Sequence, residues 1–337
     1  MIIFSYLGAK IPRYAILNAE HTKLRFPELN VGMIVSSKEN ARAIEKRGIS
    51  AFVYNTHVND ELFSLMQTKR KDFRNGFWRF SLERLMSIDV CFKENISDVV
   101  HVESDVVLLN GFDRYIFSKS KVSWLKHKDT EDSAAILAIN NGAAFYNFNE
   151  DLRSTFAENP TSSEMQLLSK LRKKSPDVYD LMPSIFEDGT VSRGQNDLHE
   201  NFVFDPATLG MWLFGHDPKN HFGVTRRSLL QGEKNPDAFN LNIRNETGKS
   251  HLYLADNTKV LSIHVHTKTE AIFIDPEAQI DANLTNRKST TKFDPKSFVQ
   301  VYKEYANRNK RIVFIFSAIG LFKYINAAKN KFNDFFR

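Results

Sequence analysis

A single cysteine, Cys91, stands in 337 residues, so no disulfide can close within the chain and no multi-cysteine zinc site can form. No apolar run approaches the roughly twenty residues that a membrane-spanning helix needs. The opening Met-Ile-Ile-Phe-Ser-Tyr-Leu-Gly has no basic leader and too short an apolar run for a signal peptide; it is expected to be a first strand, in a chain that works in a reducing compartment. There is no G-x-G-x-x-G after that strand and no Walker A loop, since Gly248-Lys249-Ser250 lacks the upstream glycine. No nucleic-acid-binding motif accompanies the basic balance. A formal charge of +6 and a pI near 9.1 therefore point to anionic partners such as nucleoside diphosphates or acidic lipid. The sequons at Asn95, Asn245 and Asn283 read as chance matches.

What the chain does have is a centre. From Val99 to Asn110, apolar residues run up to Glu103 and Asp105 and resume directly after them, the pattern of a buried strand whose end carries acid groups. Two carboxylates that close repel each other unless a positive charge stands between them, and a hard divalent cation, Mg²⁺ or Mn²⁺, meets that need. Ahead of this stretch, strands at Ile2–Tyr6, Val31–Ser36 and Ala51–Tyr54 alternate with helices at Arg13–Leu24 and Glu39–Arg47. That alternation predicts βαβ units and a parallel sheet covered by helices. A short helix at Asn59–Gln67, a basic stretch at Lys69–Arg74 and a helix from Phe77 to about Glu94 then deliver the chain into the central strand. Arg74, Arg79 and Arg84 lie on or beside that helix, and one facing the carboxylates could grip a phosphate.

Beyond the centre, Lys121–Leu125 and Ala134–Ile139 read as strands around a polar turn. Asn140-Asn141-Gly142 reads as a polar corner opening another apolar strand, with asparagines suited to hydroxyl groups and a glycine that permits close approach. Glu150–Ala157 is expected to be helical, and Thr161 with Glu164 forms a capping box for a helix running to about Lys173. Asp188–Leu230 mixes glycine, aromatic and polar residues without a period, as functional loops do. In Lys259–Lys268, strand alternation places His264, His266 and Lys268 on one face, where they could complete a metal site and hold a diphosphate. The run Ile312–Phe322 is too short to span a bilayer, and its lysine-rich flanks suit a helix lying in a membrane surface.

Together, Glu103-Ser104-Asp105 at a strand end, Asn140-Asn141-Gly142 and the late histidines resemble the nucleotide-sugar-dependent glycosyltransferases of the GT-A fold, of bacterial type. Glu103-Ser104-Asp105 stands in the place of their D-x-D motif, and Phe204–Asn220 is similar to a block found in bacterial sugar transferases. The resemblance implies an α/β fold with a Rossmann-like mixed sheet flanked by helices over residues 1–275. A linker or helical extension at 276–308 and a basic membrane-associating helix at 309–337 would follow. It implies a Mn²⁺ or Mg²⁺ site drawn from Glu103, Asp105, His264 and His266, and a donor site drawn from Arg79, Glu103, Asn141, Gly142 and Lys268, with Asn141 orienting the sugar. The late histidines point to retention of configuration; should the enzyme invert, Asp197 and Asp217 are the candidate bases. The implied partner is a nucleotide-sugar donor, with no nucleic acid; a glycan or lipid-linked acceptor and an anionic membrane surface are expected from composition, the chain beyond Asp275 lying outside the resemblance. The implied setting is surface polysaccharide synthesis on the cytoplasmic face of the cell membrane. Two other readings stay open at this point: a nucleotidyltransferase, for which Gly8-Ala9-Lys10 makes a poor phosphate loop, and a non-catalytic membrane-associated scaffold on a degenerate transferase fold.

Overall fold

Hydrophobic alternation along the first strand sets up two layers of core. In the computed structural model β1 (Ile2–Tyr6) sends Ile3 to one face, toward Leu82, Leu85, Phe145 and Leu167, and Ile2 and Phe4 to the other, toward Ala15, Ala19 and Ile44. The structure describes residues 1–67, 73, 76–113, 122–186, 189–192, 201–215 and 239–289. The chain divides into two units, Met1–Leu284 and Thr285–Arg337, and every contact discussed below belongs to the first. The tail expected to lie on a membrane, 309–337, falls outside the described residues, as does most of the 276–308 extension.

After β1 come α1 (Arg13–Arg25), β2 (Val31–Val35), α2 (Lys38–Glu45), β3 (Ser50–Val53) and α3 (Asp60–Ser64). The side chain of Ser37 caps α2 by accepting from the Asn40 N–H. The helix expected over Phe77–Glu94 is two, α4 (Phe77–Met86) and α5 (Asp89–Lys93). Ser87 lies at the break, its hydroxyl donating to the Arg84 carbonyl at 2.6 Å and so competing with the helical ladder. The central stretch follows as β4 (Val99–Glu103) and β5 (Val106–Leu108), with Ser104 and Asp105 in the turn between them.

A hairpin of β6 (Val122–Lys128) and β7 (Glu131–Ile139) leads into α6 (Gly142–Glu158), and α7 (Glu164–Lys174) leads into β8 (Tyr179–Met182). The main sheet has the order β3-β2-β1-β4-β7-β6-β8; β3, β2, β1 and β4 are parallel, and β7 runs antiparallel to both β4 and β6. It is the mixed α/β sheet flanked by helices that the GT-A resemblance implies. Two expectations are corrected here. Asn140–Asn147 opens a helix, not a strand: Phe145, Phe148, Leu152 and Phe156 recur at helical spacing and are all fully buried, and Asn141 caps them by accepting from the Ala144 N–H. The capping box of α7 is Ser163 with Gln166, two residues later than Thr161 and Glu164, which leaves Glu164 free to turn inward.

The rest of the first unit packs over the end of this sheet around its own core, with Leu209, Trp212, Leu252, Ile263 and Phe273 among its members. It comprises β9 (Ser184–Ile185), β10 (Val191–Ser192), β11 (Phe202–Val203), α8 (Thr208–Phe214), β12 (Asn242–Glu246), β13 (Lys249–Tyr253), β14 (Lys259–Val260), β15 (Ser262–His264), α9 (Glu270–Ile274) and α10 (Pro276–Ser289) as far as Leu284. The single strand expected over Lys259–Lys268 is interrupted at Leu261 because the chain changes partners there: β14 pairs with β11 and β13, and β15 pairs with β5.

Candidate metal and donor site

The pairing of β15 with β5 decides where the site forms. Its antiparallel register sets His264 opposite Val106, and the Val265 N–H donates to the Asp105 carbonyl at 2.7 Å. A residue about 160 positions away in sequence is thereby brought against the central carboxylates. Nε2 of His264 lies 3.1 Å from Oε2 of Glu103 and 3.4 Å from Oδ1 of Asp105. One ligand atom from each of Glu103, Asp105 and His264 falls within 4.8 Å of the others, so the three could hold a metal ion.

The turn that carries the acids is pinned from beneath. Asn18 on α1, fully buried, donates to the carbonyls of Ser104 and Val106 at 3.1 and 2.7 Å. His264 is pinned from behind by Asp205, whose carboxylate accepts from the backbone N–H groups of Ala207, Leu209, Gly210 and His264 itself. The other ring nitrogen, Nδ1, stands 3.0 Å from the Pro206 carbonyl. A carbonyl only accepts, so Nδ1 carries a proton and Nε2 is the nitrogen presented to the acids, the tautomer a metal-binding histidine requires.

Charge balance completes the description. Burial alone would push the Asp105 carboxyl up, yet His264, Lys268 and His266 hold it well below the usual carboxylate range. Burial would likewise depress His264, but Asp105 and Glu103 push it up to about 9. Lys268 places Nζ 3.6 Å from Oδ2 of Asp105 and 5.7 Å from the centre of the Tyr14 ring. On the opposite side Arg84 pairs with Glu103, and the same nitrogen donates to Glu164 at 2.7 Å.

The location within the sheet matters as much as the residues. β1 is flanked by β2 on one side and β4 on the other, so chain connections depart in opposite directions at the carboxyl ends of β1 and β4. Open α/β sheets bind ligands in the crevice at such a switch point. Tyr6 ends β1 and Glu103 ends β4, and Tyr6 and Tyr14 both feel the charge of Lys268.

Among the residues expected in the site, Glu103, Asp105, His264 and Lys268 are brought together. His266 stacks its ring on His264, centroids 4.2 Å apart, and is not among the three residues whose ligand atoms converge. Arg79 is engaged elsewhere: it donates to the Thr56 carbonyl and pairs with Asp60 at 2.7 Å and Glu83 at 3.0 Å, and Arg84 is the arginine that faces the carboxylates. Asn141 and Gly142 follow Ile139, which pairs with Val99 at the far end of β4; the length of that strand, ~13 Å at the usual rise per residue, separates them from Glu103. Asp197 and Asp217 lie outside the described residues. Sequence reasoning gives no individual site role to Asn18, Glu164, Asp205 or Gly210: Glu164 reads as a cap, and Asp205 and Gly210 lie within the Phe204–Asn220 block. Of these only Asp205 carried a signal, as an Asp followed by Pro206 and Thr208 just ahead of an apolar helix.

No family model matches this chain, and no curated protein matches it. Solved structures do. The galactosyltransferase LgtC, in complex with donor and acceptor sugar analogs, is 13% identical over 88% of this chain and 98% of its own, with a TM-score of 0.34. PaToxG glycosyltransferase is 12% identical over 52% of this chain and 67% of its own, TM-score 0.37. Mouse xyloside xylosyltransferase 1, in its apo form, is 8% identical over 53% and 82%, TM-score 0.35. All three are glycosyltransferases.

Proposed function

We propose that this protein is a metal-dependent glycosyltransferase that moves a sugar from a nucleotide-sugar donor to a hydroxyl of a glycan or lipid-linked acceptor. The observation that carries the reading is the convergence of Glu103, Asp105 and His264 at the carboxyl ends of the strands, beside the switch point of the sheet. Two carboxylates and an imidazole with its far nitrogen fixed make a donor set suited to Mn²⁺, with Mg²⁺ the harder alternative. A cation held there would neutralise the charge that develops on a departing nucleoside diphosphate. Lys268, beside Asp105, is a second positive charge that can meet phosphate oxygens, and Tyr14 packs against both Lys268 and Phe273 next to it. Surface polysaccharide assembly at an anionic membrane face is the setting that the basic sequence of 309–337 favours.

The test is release of nucleoside diphosphate from a panel of nucleotide sugars, with and without Mn²⁺. Slow metal-dependent release from one donor, lost in Asp105→Ala with the fold retained by circular dichroism, is the expected result. Absence of release from every donor, with Mn²⁺ present, overturns the reading.

A further inference from the structure

Arg84 sits between two carboxylates and gives both of them one nitrogen. Nη2 contacts Oε1 of Glu103, at the end of β4, and Oε1 of Glu164, the first residue of α7. The Arg84 side chain is 19% exposed, that of Glu103 11% and that of Glu164 7%, so water does little to screen the three charges. While Arg84 takes Oε1 of Glu103, Oε2 of the same carboxylate is the oxygen turned toward Nε2 of His264, where the ligand atoms converge. Nothing about packing alone requires Glu164 here. The capping of α7 is done by Ser163 and Gln166, and the site of a buried glutamate could be filled at less desolvation cost by an apolar side chain.

We propose that Arg84 and Glu164 together set the cation affinity of the site, Arg84 as a fixed positive charge against Glu103 and Glu164 by drawing that charge away from the oxygen turned toward the metal. This rests on the metal-binding reading above. Arg84 is a fixed positive charge beside a ligand, and on its own it would oppose the entry of a divalent cation. Sharing one nitrogen with Glu164 offsets that opposition. The chain thus carries a compensated pair, one residue removed from the metal, drawn from two helices on the same face of the sheet.

The experiment is Mn²⁺ binding to the full chain, read as free Mn²⁺ by electron paramagnetic resonance at pH 8, without donor or acceptor. Glu164→Gln leaves the size of the side chain unchanged and removes the offsetting charge, so affinity should fall about tenfold or more. The double variant Arg84→Met with Glu164→Gln removes both charges, leaves no buried ion unpaired between these two positions, and should return affinity to within about threefold of the starting protein; it also serves where Glu164→Gln alone does not fold. A folded Glu164→Gln protein with unchanged affinity overturns the proposal and leaves the metal site standing. The same follows from a double variant that binds more than tenfold more weakly than the starting protein. Failure of the unaltered protein to bind Mn²⁺ or Mg²⁺ removes the metal reading and this proposal with it.

Discussion

A Cβ placed on Gly210 would stand 1.9 Å from the carbonyl oxygen of His264. Helix α8 therefore lies directly on the backbone of the strand that brings the imidazole to the acids, and only a residue without a side chain permits it. The contact partner is main chain, so it cannot swing aside.

Gly210→Ala is accordingly expected to force α8 and β15 apart. Overpacking of this kind typically costs about 1–3 kcal/mol, and the displaced strand carries His264 with it. Thermal unfolding should show the lost stability, and Mn²⁺ titration a site that no longer closes. A variant with unchanged melting temperature and unchanged affinity would mean that α8 does not position His264.

Asn18→Ala tests the support beneath the acids. The amide is buried and donates to two carbonyls of the Ser104–Val106 turn. Removing it leaves both without their partner, a loss of about 1–3 kcal/mol that denaturant titration should reveal. Metal affinity should fall as well, because the turn is what fixes Asp105. Lost stability with full Mn²⁺ affinity would show that Asn18 serves the fold alone.

The first half of this architecture was legible because buried parallel strands are short apolar runs: β1, β2 and β4 are almost wholly buried, and the acids that interrupt the run at Glu103 and Asp105 stand out for that reason. The start of α6 reads as strand from sequence although Phe145 and Phe148 hold the helical spacing, because an apolar stretch shorter than two turns fits either period. Arg84 could not be preferred over Arg79 from sequence. The two are five residues apart on one helix, and what separates them is that Glu83 and Asp60 take Arg79 while Glu103 and Glu164 take Arg84. The meeting of His264 with Asp105 is written in a two-strand pairing across most of the domain, which no local pattern announces.

Lys268 takes a left-handed backbone conformation, φ +56°, just past β15, and this turn brings Nζ back toward Asp105. As a point charge it should act on phosphate and hardly at all on base or ribose. Lys268→Ala is expected to weaken nucleoside diphosphate binding about tenfold or more, with nucleoside affinity nearly unchanged. Calorimetry with both ligands in the presence of Mn²⁺ gives the comparison, and equal losses for the two would remove the lysine from phosphate binding.

The last expectation concerns pH, and its sign follows from His264. In the metal-free protein its folded value, about 9, lies above the ordinary 6.5, so the folded state binds the proton more tightly than the unfolded chain. The stabilisation is complete below pH 6.5 and is lost as pH rises through 9. Glu164, pushed up to about 7 by burial, with Glu103 adding to the rise against the pull of Arg84, loses stability in the same direction, but that loss is largely complete near pH 7. Most of the fall between pH 7 and 9 therefore belongs to His264, the buried thiol of Cys91, pushed up to about 12, adding to it only near the top of the interval. A metal ion needs the unprotonated Nε2, so Mn²⁺ binding in this interval should release a proton and tighten with rising pH. Melting temperature in chelator should fall between pH 7 and 9, and saturating Mn²⁺ should remove most of that fall. His264→Gln, which keeps a polar group beside the acids and cannot titrate, should flatten the metal-free profile over the same interval. A slope that survives the substitution would assign the titration to another group and detach His264 from the acids it faces.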